Sequence, residues 1–121
     1  MFQIDVLSRT PVYEQIVTQM EQYVLSGILK SGEKLPSVRK LSVELAVNPN
    51  TIQRAMTELD RLGIITSVPG KGCFVSTDAQ DRIRERKRND IGQFRKKVEE
   101  LALAGVDSSE LIKVIKEVYG G

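Results

Sequence analysis

The sequence predicts an α+β fold that is mostly helical. Apolar residues recur at helical spacing in three successive stretches before residue 64. Residues 64–75 then form two β-branched or apolar segments around a proline-glycine turn, a pattern that indicates a β-hairpin. Helical periodicity returns from residue 78, and strand signals disappear. Three helices followed by a hairpin are the order of a winged helix-turn-helix, and the remaining residues predict a two-helix tail.

The composition excludes most kinds of catalytic and metal-binding site. The 121 residues are enough for one compact domain with a short appendage, and 40% of them are hydrophobic, as in an ordinary globular protein. The sequence has no histidine and a single cysteine. It therefore lacks the residues for most metal sites, for histidine-based catalytic triads and for an intramolecular disulfide. We expect no enzymatic activity, no metal and no cofactor.

The termini and the net charge give weaker information. The N-terminus has no basic leader before an apolar stretch, and no window approaches the ~18 apolar residues of a membrane span. We therefore expect a cytoplasmic protein without membrane contact. The net charge of +2 is compatible with a nucleic-acid partner but is too small to predict one.

The first two helices are delimited by proline, serine and glycine. Thr10 is predicted to cap the first helix, with Pro11 at its first position and Gly27 at its end. Leu35-Pro36 disfavours helix, and Ser37 is then expected to cap the second. The inward-facing residues are predicted to be Val12, Ile16, Met20, Tyr23 or Val24, Val38, Leu41 and Leu45.

The third helix and the hairpin complete the predicted domain, residues 1–77. Asn48 is an N-cap before Pro49, and Gly63 ends the helix. Ile52, Met56 and Leu59 lie on one face of this helix and predict its buried side. The hairpin follows as residues 64–68 and 73–75, joined by the turn at 69–72.

Residues 78–121 predict a helical dimerisation tail. Ile83 begins an apolar stripe on one long helix, residues 104–106 turn the chain, and Asp107 with Glu110 forms a capping box for the last helix. This pair carries more apolar side chains than two helices can bury, so a second copy across a two-fold axis is expected. The alternative is a tail folded back onto its own domain. The predicted dimerisation residues are Ile91, Phe94, Val98, Leu101, Leu111, Ile112, Ile115 and Val118.

The polar face of the third helix suits DNA recognition. An α-helix fits the major groove, where Asn or Gln can pair with adenine and Arg with guanine. The start of the second helix can contact phosphate, and the glycine-lysine wing tip can approach the minor groove or the backbone. A P-loop is excluded because the glycine spacing is wrong and Gly72 occupies the Ser/Thr position. The predicted DNA-binding residues are Ser37, Arg39, Asn50, Thr51, Gln53, Arg54, Gly70 and Lys71.

Residues 11–75 resemble the DNA-binding domain of GntR-family bacterial transcription regulators. The resemblance is carried by the runs 11–16, 32–41 and 47–56 and by Gly70-Lys71-Gly72. The short helical tail resembles that of the YtrA subfamily, whose members are small dimeric regulators without a large effector domain. The resemblance implies a backbone and groove contact by Arg39 and a wing contact by Gly70 and Lys71. It also places Asn50, Thr51, Gln53 and Arg54 on the recognition helix.

Three positions depart from the family pattern. Cys73 replaces the usual threonine, and Pro49 replaces a basic residue that some branches use. Ala46 stands where glycine is frequent, which predicts a backbone angle that any residue can adopt. Two further predictions concern side chains outside the site. Tyr13 is expected to fill the core or an interface, and the basic run 82–88 to be a solvated helix face, with contact to the DNA backbone as the alternative.

These features predict a sequence-specific DNA-binding regulator, acting as a repressor on a pseudo-palindromic operator as a homodimer. The alternative is a winged helix that binds another protein and has no specific affinity for DNA. The two tail helices are too few to enclose a ligand cavity within one protomer, so any effector pocket would lie between protomers.

Overall fold

The computed structural model describes residues 2–121 and confirms the predicted fold class. Three helices and an antiparallel hairpin form the winged helix-turn-helix, and helices follow to the C-terminus. No helix of residues 2–121 is long and apolar enough to cross a membrane. The elements are α1 (Val12–Leu25), α2 (Val38–Leu45), α3 (Pro49–Arg61), β1 (Ile65–Val68), β2 (Gly72–Val75), α4 (Ala79–Asn89), α5 (Ile91–Leu103) and α6 (Ser108–Tyr119).

The chain divides into two compact units. The first extends to Glu85 and the second is Arg86–Gly121, so α4 spans the boundary. In the first unit, α3 packs against α1, α2 and β1. Ile16 and Met20 of α1 and Ile52 and Leu59 of α3 are buried. Each buried aliphatic side chain of this size contributes about 1.5–3 kcal/mol, so this packing is the main stabilising contribution of the unit.

Two glutamines of α1 hold the N-terminal segment in place. The Gln19 side chain accepts a hydrogen bond from the Gln3 N–H (2.8 Å) and donates to the Gln3 carbonyl (2.6 Å). Gln15 makes the same pair with Asp5, at 2.9 Å each. It also donates to the carbonyl of Thr10 (2.9 Å). The predicted Thr10 cap is wrong, because α1 begins at Val12 with Pro11 at the N-cap position and no side-chain cap.

The predicted caps of α2 and α3 are confirmed. The Ser37 hydroxyl accepts a hydrogen bond from the Lys40 N–H (3.1 Å), and the Asn48 side chain accepts one from the Asn50 N–H (2.8 Å). Both bonds satisfy a donor that a helix start leaves without an intrahelical partner. The three residues predicted to face inward from α3 are buried. The α3 polar face is therefore fixed in direction relative to the core.

The turn between α2 and α3 corrects the expectation for Ala46. This residue has φ 53° and ψ 44°, in the left-handed region, where Cβ approaches the following carbonyl oxygen. Its N–H bonds to the Val43 carbonyl (3.4 Å), and the Val47 N–H bonds to the Ser42 carbonyl (3.2 Å). These bonds close the end of α2 and impose the positive angle. A glycine, which the resemblance led us to expect here, would adopt this angle without that steric cost.

The single long helix predicted before the turn at residues 104–106 is two helices, α4 and α5. It is interrupted at Asp90, where the N–H bonds to the Lys87 carbonyl three residues earlier (3.0 Å). Asn89, Asp90 and Gly92 are weak helix formers, which explains a break at this place. Ala79 and Ile83 are both 0% exposed in the core of the first unit, so Ile83 does not belong to the stripe of the tail.

The second unit has no hydrophobic centre of its own. Neither α5 nor α6 contains a buried residue, and the two helices make few contacts with each other within residues 86–121. The predicted turn is confirmed at Gly105, which has φ +85°. Asp107 caps α6 as predicted, since its carboxylate accepts a hydrogen bond from the Ser109 N–H (3.2 Å). The full capping box is not formed, because within residues 2–121 the Glu110 carboxylate makes no hydrogen bond to the Asp107 N–H.

We expect Ala46→Gly to raise stability. The left-handed conformation costs a non-glycine residue about 1–2 kcal/mol, whereas glycine loses about 0.5–1 kcal/mol more backbone entropy on folding. The expected net gain is about 0.5–1 kcal/mol, measured by urea unfolding. Ala102→Gly, on the exposed side of α5, is the control and should instead lose about 1 kcal/mol. Equal losses in both variants would contradict the assignment of strain to Ala46.

Candidate nucleic-acid interface

The predicted DNA-binding residues lie on three elements of the first unit: the start of α2, the polar side of α3 and the turn of the hairpin. Seven of them are exposed, and Thr51 is half-buried. The exposed residues are Ser37, Arg39, Asn50, Gln53, Arg54, Gly70 and Lys71.

The polar side of α3 results from the burial of its opposite side. Ile52, Met56 and Leu59 are buried together with Ala55. The exposed residues between them are Gln53, Arg54 and Thr57. On this outer side, Gln53 Nε2 donates a hydrogen bond to Thr57 Oγ1 (3.2 Å). That bond uses one amide hydrogen and restrains the side chain, while the amide oxygen and the second hydrogen remain available. The Gln53 amide therefore keeps the donor and acceptor that a bidentate contact with adenine requires.

Arg54 is held by an aromatic ring. Its guanidinium carbon lies 3.9 Å from the centroid of the Tyr13 ring, at the start of α1. Tyr13 is half-buried and packs against the core, and its hydroxyl donates to Glu14 Oε1 (3.2 Å). Sequence reasoning missed this contact because nothing in the pattern links residues so distant along the chain. Only the packing of α1 on α3 brings them together.

The start of α2 presents a cation beside a capped helix end. Ser37 Oγ already accepts the Lys40 N–H, so its remaining role at a phosphate is as a donor. Arg39 is exposed, and within residues 2–121 no carboxylate forms an ion pair with it. Lys40 Nζ lies 3.9 Å from Glu44 Oε1, which partly neutralises it. Arg39 is thus the available cation of this element.

The wing is closed by a tight turn. The Lys71 N–H donates to the Val68 carbonyl (3.0 Å), with Pro69 and Gly70 in the middle positions and Gly70 at φ +76°. This is the pattern of a type II turn, which requires glycine at its third position. The register pairs Val68 with Gly72 and Ile65 with Val75, as the predicted hairpin requires. Lys71 is therefore presented at the tip of the hairpin.

Lys34 is a second cation at the wing, and it is not among the predicted DNA-binding residues. The segment before α2 pairs with β2: Lys34 bridges to Phe74, and the Leu35 N–H donates to the Cys73 carbonyl (2.9 Å). The Lys34 side chain crosses Gly72, where a Cβ would lie 3.1 Å from Lys34 Cε. Gly72, at φ +117°, leaves room for this crossing. Lys34 lies in the run 32–41 that carries the family resemblance. Only the pairing of its segment with β2 shows that this lysine lies beside the wing.

A hydrogen bond fastens the wing to α3. Ser67 Oγ donates to Asp60 Oδ2 (2.8 Å) and lies 3.4 Å from Cys73 Sγ. The bond spans a groove of about 350 Å³ between the polar side of α3 and the hairpin. Next to it, Arg61 Nε donates to Glu58 Oε2 (3.0 Å). Asp60 is thus engaged by the wing, and Arg61 is neutralised by its own helix.

Two predicted sets lie outside these elements. In the basic run, Arg82 Nε pairs with Asp78 Oδ2 (2.8 Å) and Arg84 Nη1 with Asp81 Oδ1 (3.8 Å). Among the predicted dimerisation residues, Phe94 is 54% and Val118 78% exposed. Ile91, Ile112 and Ile115 are also exposed, and Val98, Leu101 and Leu111 are half-buried.

Comparison with known proteins gives a consistent family. Residues 12–75 match the family described as bacterial regulatory proteins, gntR family. The HTH-type transcriptional repressor YtrA of Bacillus subtilis is 43% identical over 98% of this chain and 92% of its own length. A transcriptional antiterminator from Listeria monocytogenes superposes with a TM-score of 0.77, at 34% identity over 98% of this chain and 90% of that one. YtrA from Sulfolobus acidocaldarius, a GntR-family transcription factor, has a TM-score of 0.58, with 27% identity over 98% and 96% of the two chains.

We expect Ser67→Ala to loosen the wing without unfolding the unit. The variant loses a hydrogen bond worth about 0.5–1.5 kcal/mol and leaves Asp60 in water. Amide hydrogen exchange in β1 and β2 should accelerate, while exchange in α1 stays unchanged. Asp60→Asn is the matched control, because its amide oxygen still accepts the Ser67 hydrogen. Unchanged exchange in the hairpin of Ser67→Ala would show that this bond does not hold the wing.

Proposed function

Because the chain belongs to the GntR family of bacterial regulatory proteins, we propose that it is a sequence-specific repressor that binds a pseudo-palindromic operator as a homodimer. The chain is a helix-turn-helix transcriptional regulator and a homologue of the YtrA repressor; the family is regulatory rather than enzymatic. One observation carries the finer proposal. The outer side of α3 holds the donors of Gln53 and Arg54, and within residues 2–121 Arg39 and Lys71 on the two neighbouring elements form no ion pair.

In the proposed complex, α3 enters the major groove. Its outer residues reach base edges, where Arg54 can pair with guanine and Gln53 with adenine. The N–H groups at the start of α2 and the Arg39 guanidinium contact phosphates on one side. Lys71 at the wing tip contacts phosphate or the minor groove on the other side. Phosphate contacts fix the position of the domain on the duplex, and α3 supplies discrimination between sequences.

The remaining predicted contacts follow from position. Asn50 and Thr51 lie in the first turn of α3, the part of a recognition helix that comes nearest to base edges. Gly70 has no side chain, so the hairpin backbone can approach the duplex closely. Ser37 contacts phosphate through its hydroxyl hydrogen. We propose that residues 1–77 perform DNA binding and that residues 78–121 perform dimerisation.

The exposed apolar side chains of α5 and α6 support dimerisation. In α6, the apolar residues from Leu111 to Tyr119 cover about 160° of the helix circumference at 100° per residue. One neighbouring helix cannot cover so wide a surface, and α5 makes few contacts with α6 within residues 86–121. A segment shorter than ~40 residues usually needs a disulfide, a metal ion or oligomerisation to fold. A second copy of the tail supplies the missing contacts through a closed two-fold interface.

Dimerisation also explains how a small domain achieves specificity. One α3 offers few base contacts, whereas two rigidly linked copies add their free energies on two half-sites. Two-fold symmetry requires inverted half-sites about one helical turn apart, ~34–36 Å. A dimer on such a site would obstruct transcription sterically, which is the simplest mode of action for a homologue of a repressor. A protein acting on chromosomal DNA works in the cytoplasm.

We expect Arg54→Ala and Lys71→Ala to impair DNA binding in different ways. Arg54→Ala should lose about 1–3 kcal/mol of discrimination per half-site, measured as the affinity ratio between a duplex selected from a random pool and a scrambled duplex. Lys71→Ala should weaken both duplexes equally and lower the slope of log K against log salt concentration by about 1 per protomer. Equal effects of both variants on both duplexes would refute these roles. Salt-insensitive or absent duplex binding by the unmodified protein would instead favour a protein-interaction module.

We expect polar substitutions on the apolar side of α6 to separate the protomers. The double variant Ile112→Gln/Ile115→Gln removes four buried side chains per dimer, and at ~1.5 kcal/mol each the dissociation constant should rise at least ~1000-fold. Sedimentation equilibrium measures this change. Lys113→Gln/Glu117→Gln, on the polar side of the same helix, leaves the net charge unchanged and should leave the dimer intact. A monomeric unmodified protein at every concentration would contradict the proposed interface.

A further inference from the structure

We propose that Tyr13 is a positioning residue for DNA recognition: its ring holds the Arg54 guanidinium in the orientation in which it reads a base. This inference rests on the proposed function and extends the site to α1, to which the sequence analysis assigned no part in DNA recognition. It starts from the 3.9 Å approach of the Arg54 guanidinium carbon to the centroid of the Tyr13 ring.

Stacking restrains the guanidinium without using its donors. At 3.9 Å between its central carbon and the ring centroid, the guanidinium lies over the ring, and its five N–H bonds radiate from that carbon in the plane of the group. In the part of the chain that the structure describes, Arg54 makes no ion pair or hydrogen bond. The donor edge is therefore available for a bidentate contact with a guanine, which requires two parallel N–H groups in a fixed plane.

The ring is itself held by its surroundings. Tyr13 is half-buried and packs against the core of the first unit, and its hydroxyl donates to Glu14 Oε1 (3.2 Å). Arg54, by contrast, is an exposed side chain with several rotatable bonds. A free arginine of this kind loses rotamer entropy when it binds DNA. Stacking on a fixed ring removes part of that entropy before binding, so the cost falls on folding instead.

Two other cations, one on α3 and one on the wing, show the contrast. Arg61 is engaged through Nε and Nη2 by the Glu58 carboxylate, so its donor edge is occupied. Lys71 on the wing has no partner in the described part of the chain and no ring beside it, which suits a contact with phosphate that needs charge rather than orientation. Arg54 alone of these residues combines a restrained plane with a free donor edge.

The test replaces the ring and measures discrimination. Tyr13→Leu removes the aromatic face and keeps an apolar side chain, whereas Tyr13→Phe keeps the ring and loses only the hydroxyl. Affinities are measured by fluorescence anisotropy for a duplex selected from a random pool by the unmodified protein and for a scrambled duplex of equal composition. We expect Tyr13→Leu to lower the affinity ratio about 3- to 10-fold for each half-site, the cost of immobilising one rotamer-rich side chain, and so about 10- to 100-fold for the two half-sites of the selected duplex. Tyr13→Phe should keep the ratio of the unmodified protein.

A double-mutant cycle separates positioning from stability. In the Arg54→Ala background, Tyr13→Leu should cause no further loss of discrimination, because the residue that it positions is absent. Tyr23→Leu is the matched control: Tyr23 is another half-buried α1 tyrosine, its ring packs edge-on against Phe2 with centroids 5.4 Å apart, and its loss should change stability but not the ratio. In DNA-free protein, the Arg54 Nε–H resonance should show the ring-current shift with tyrosine or phenylalanine at position 13 and lose it with leucine.

The outcomes distinguish this inference from the proposed function. If the unmodified protein selects and discriminates a duplex, but Tyr13→Leu keeps the ratio or lowers it equally with and without Arg54, the positioning role is refuted and the proposed function stands. An increased ratio in Tyr13→Leu would show that the ring withholds Arg54 from DNA, which also refutes it. If the unmodified protein does not discriminate between duplexes, the proposed function fails and the role of Tyr13 fails with it.

Discussion

The packing of α3 against the core is the constraint on which the rest of the first unit depends. Ile52, Met56 and Leu59 are buried, and their helical spacing leaves the opposite side of α3 no orientation except outward. The same burial brings α1 against α3, so that Tyr13 meets Arg54. It also gives the wing a support, since Asp60 at the end of α3 receives the hydrogen bond from Ser67. Loss of this apolar contact would disorganise all three elements of the interface together.

The second unit, unlike the first, is not organised around buried side chains. Its last helix is capped by Asp107, yet neither α5 nor α6 buries a residue. Local signals such as the Asp107 cap and Gly105 determine where helices begin and end, whereas the stability of a helix comes mainly from covering its apolar side. In the proposed dimer, a second protomer covers the apolar sides of α5 and α6. The same contact would set the distance between the two recognition helices. Folding of the tail and specificity for DNA would then depend on a single interface.

Sequence patterns predicted the features that local physics determines. The caps at Ser37 and Asn48, the buried side of α3 and the hairpin were all readable, because each depends on a few neighbouring residues. Two errors are local, namely the Thr10 cap and the unbroken helix across Asp90. The others concern properties that depend on the surroundings. Ala46 takes a left-handed angle because the bonds that end α2 impose it, and Ile83 is buried because α4 packs on the first unit. The Tyr13–Arg54 stack and the crossing of Lys34 over Gly72 were unpredictable because both join segments distant in sequence.

The most direct measurement of the central claim is selection of preferred duplexes from a random pool at near-physiological salt by the full chain. The account predicts enrichment of two inverted half-sites whose centres lie about 10 base pairs apart, as two linked recognition helices require. Enrichment of a single unpaired half-site would contradict the role of the tail. The absence of any enriched sequence would contradict the assignment of the outer side of α3 as a surface that reads DNA.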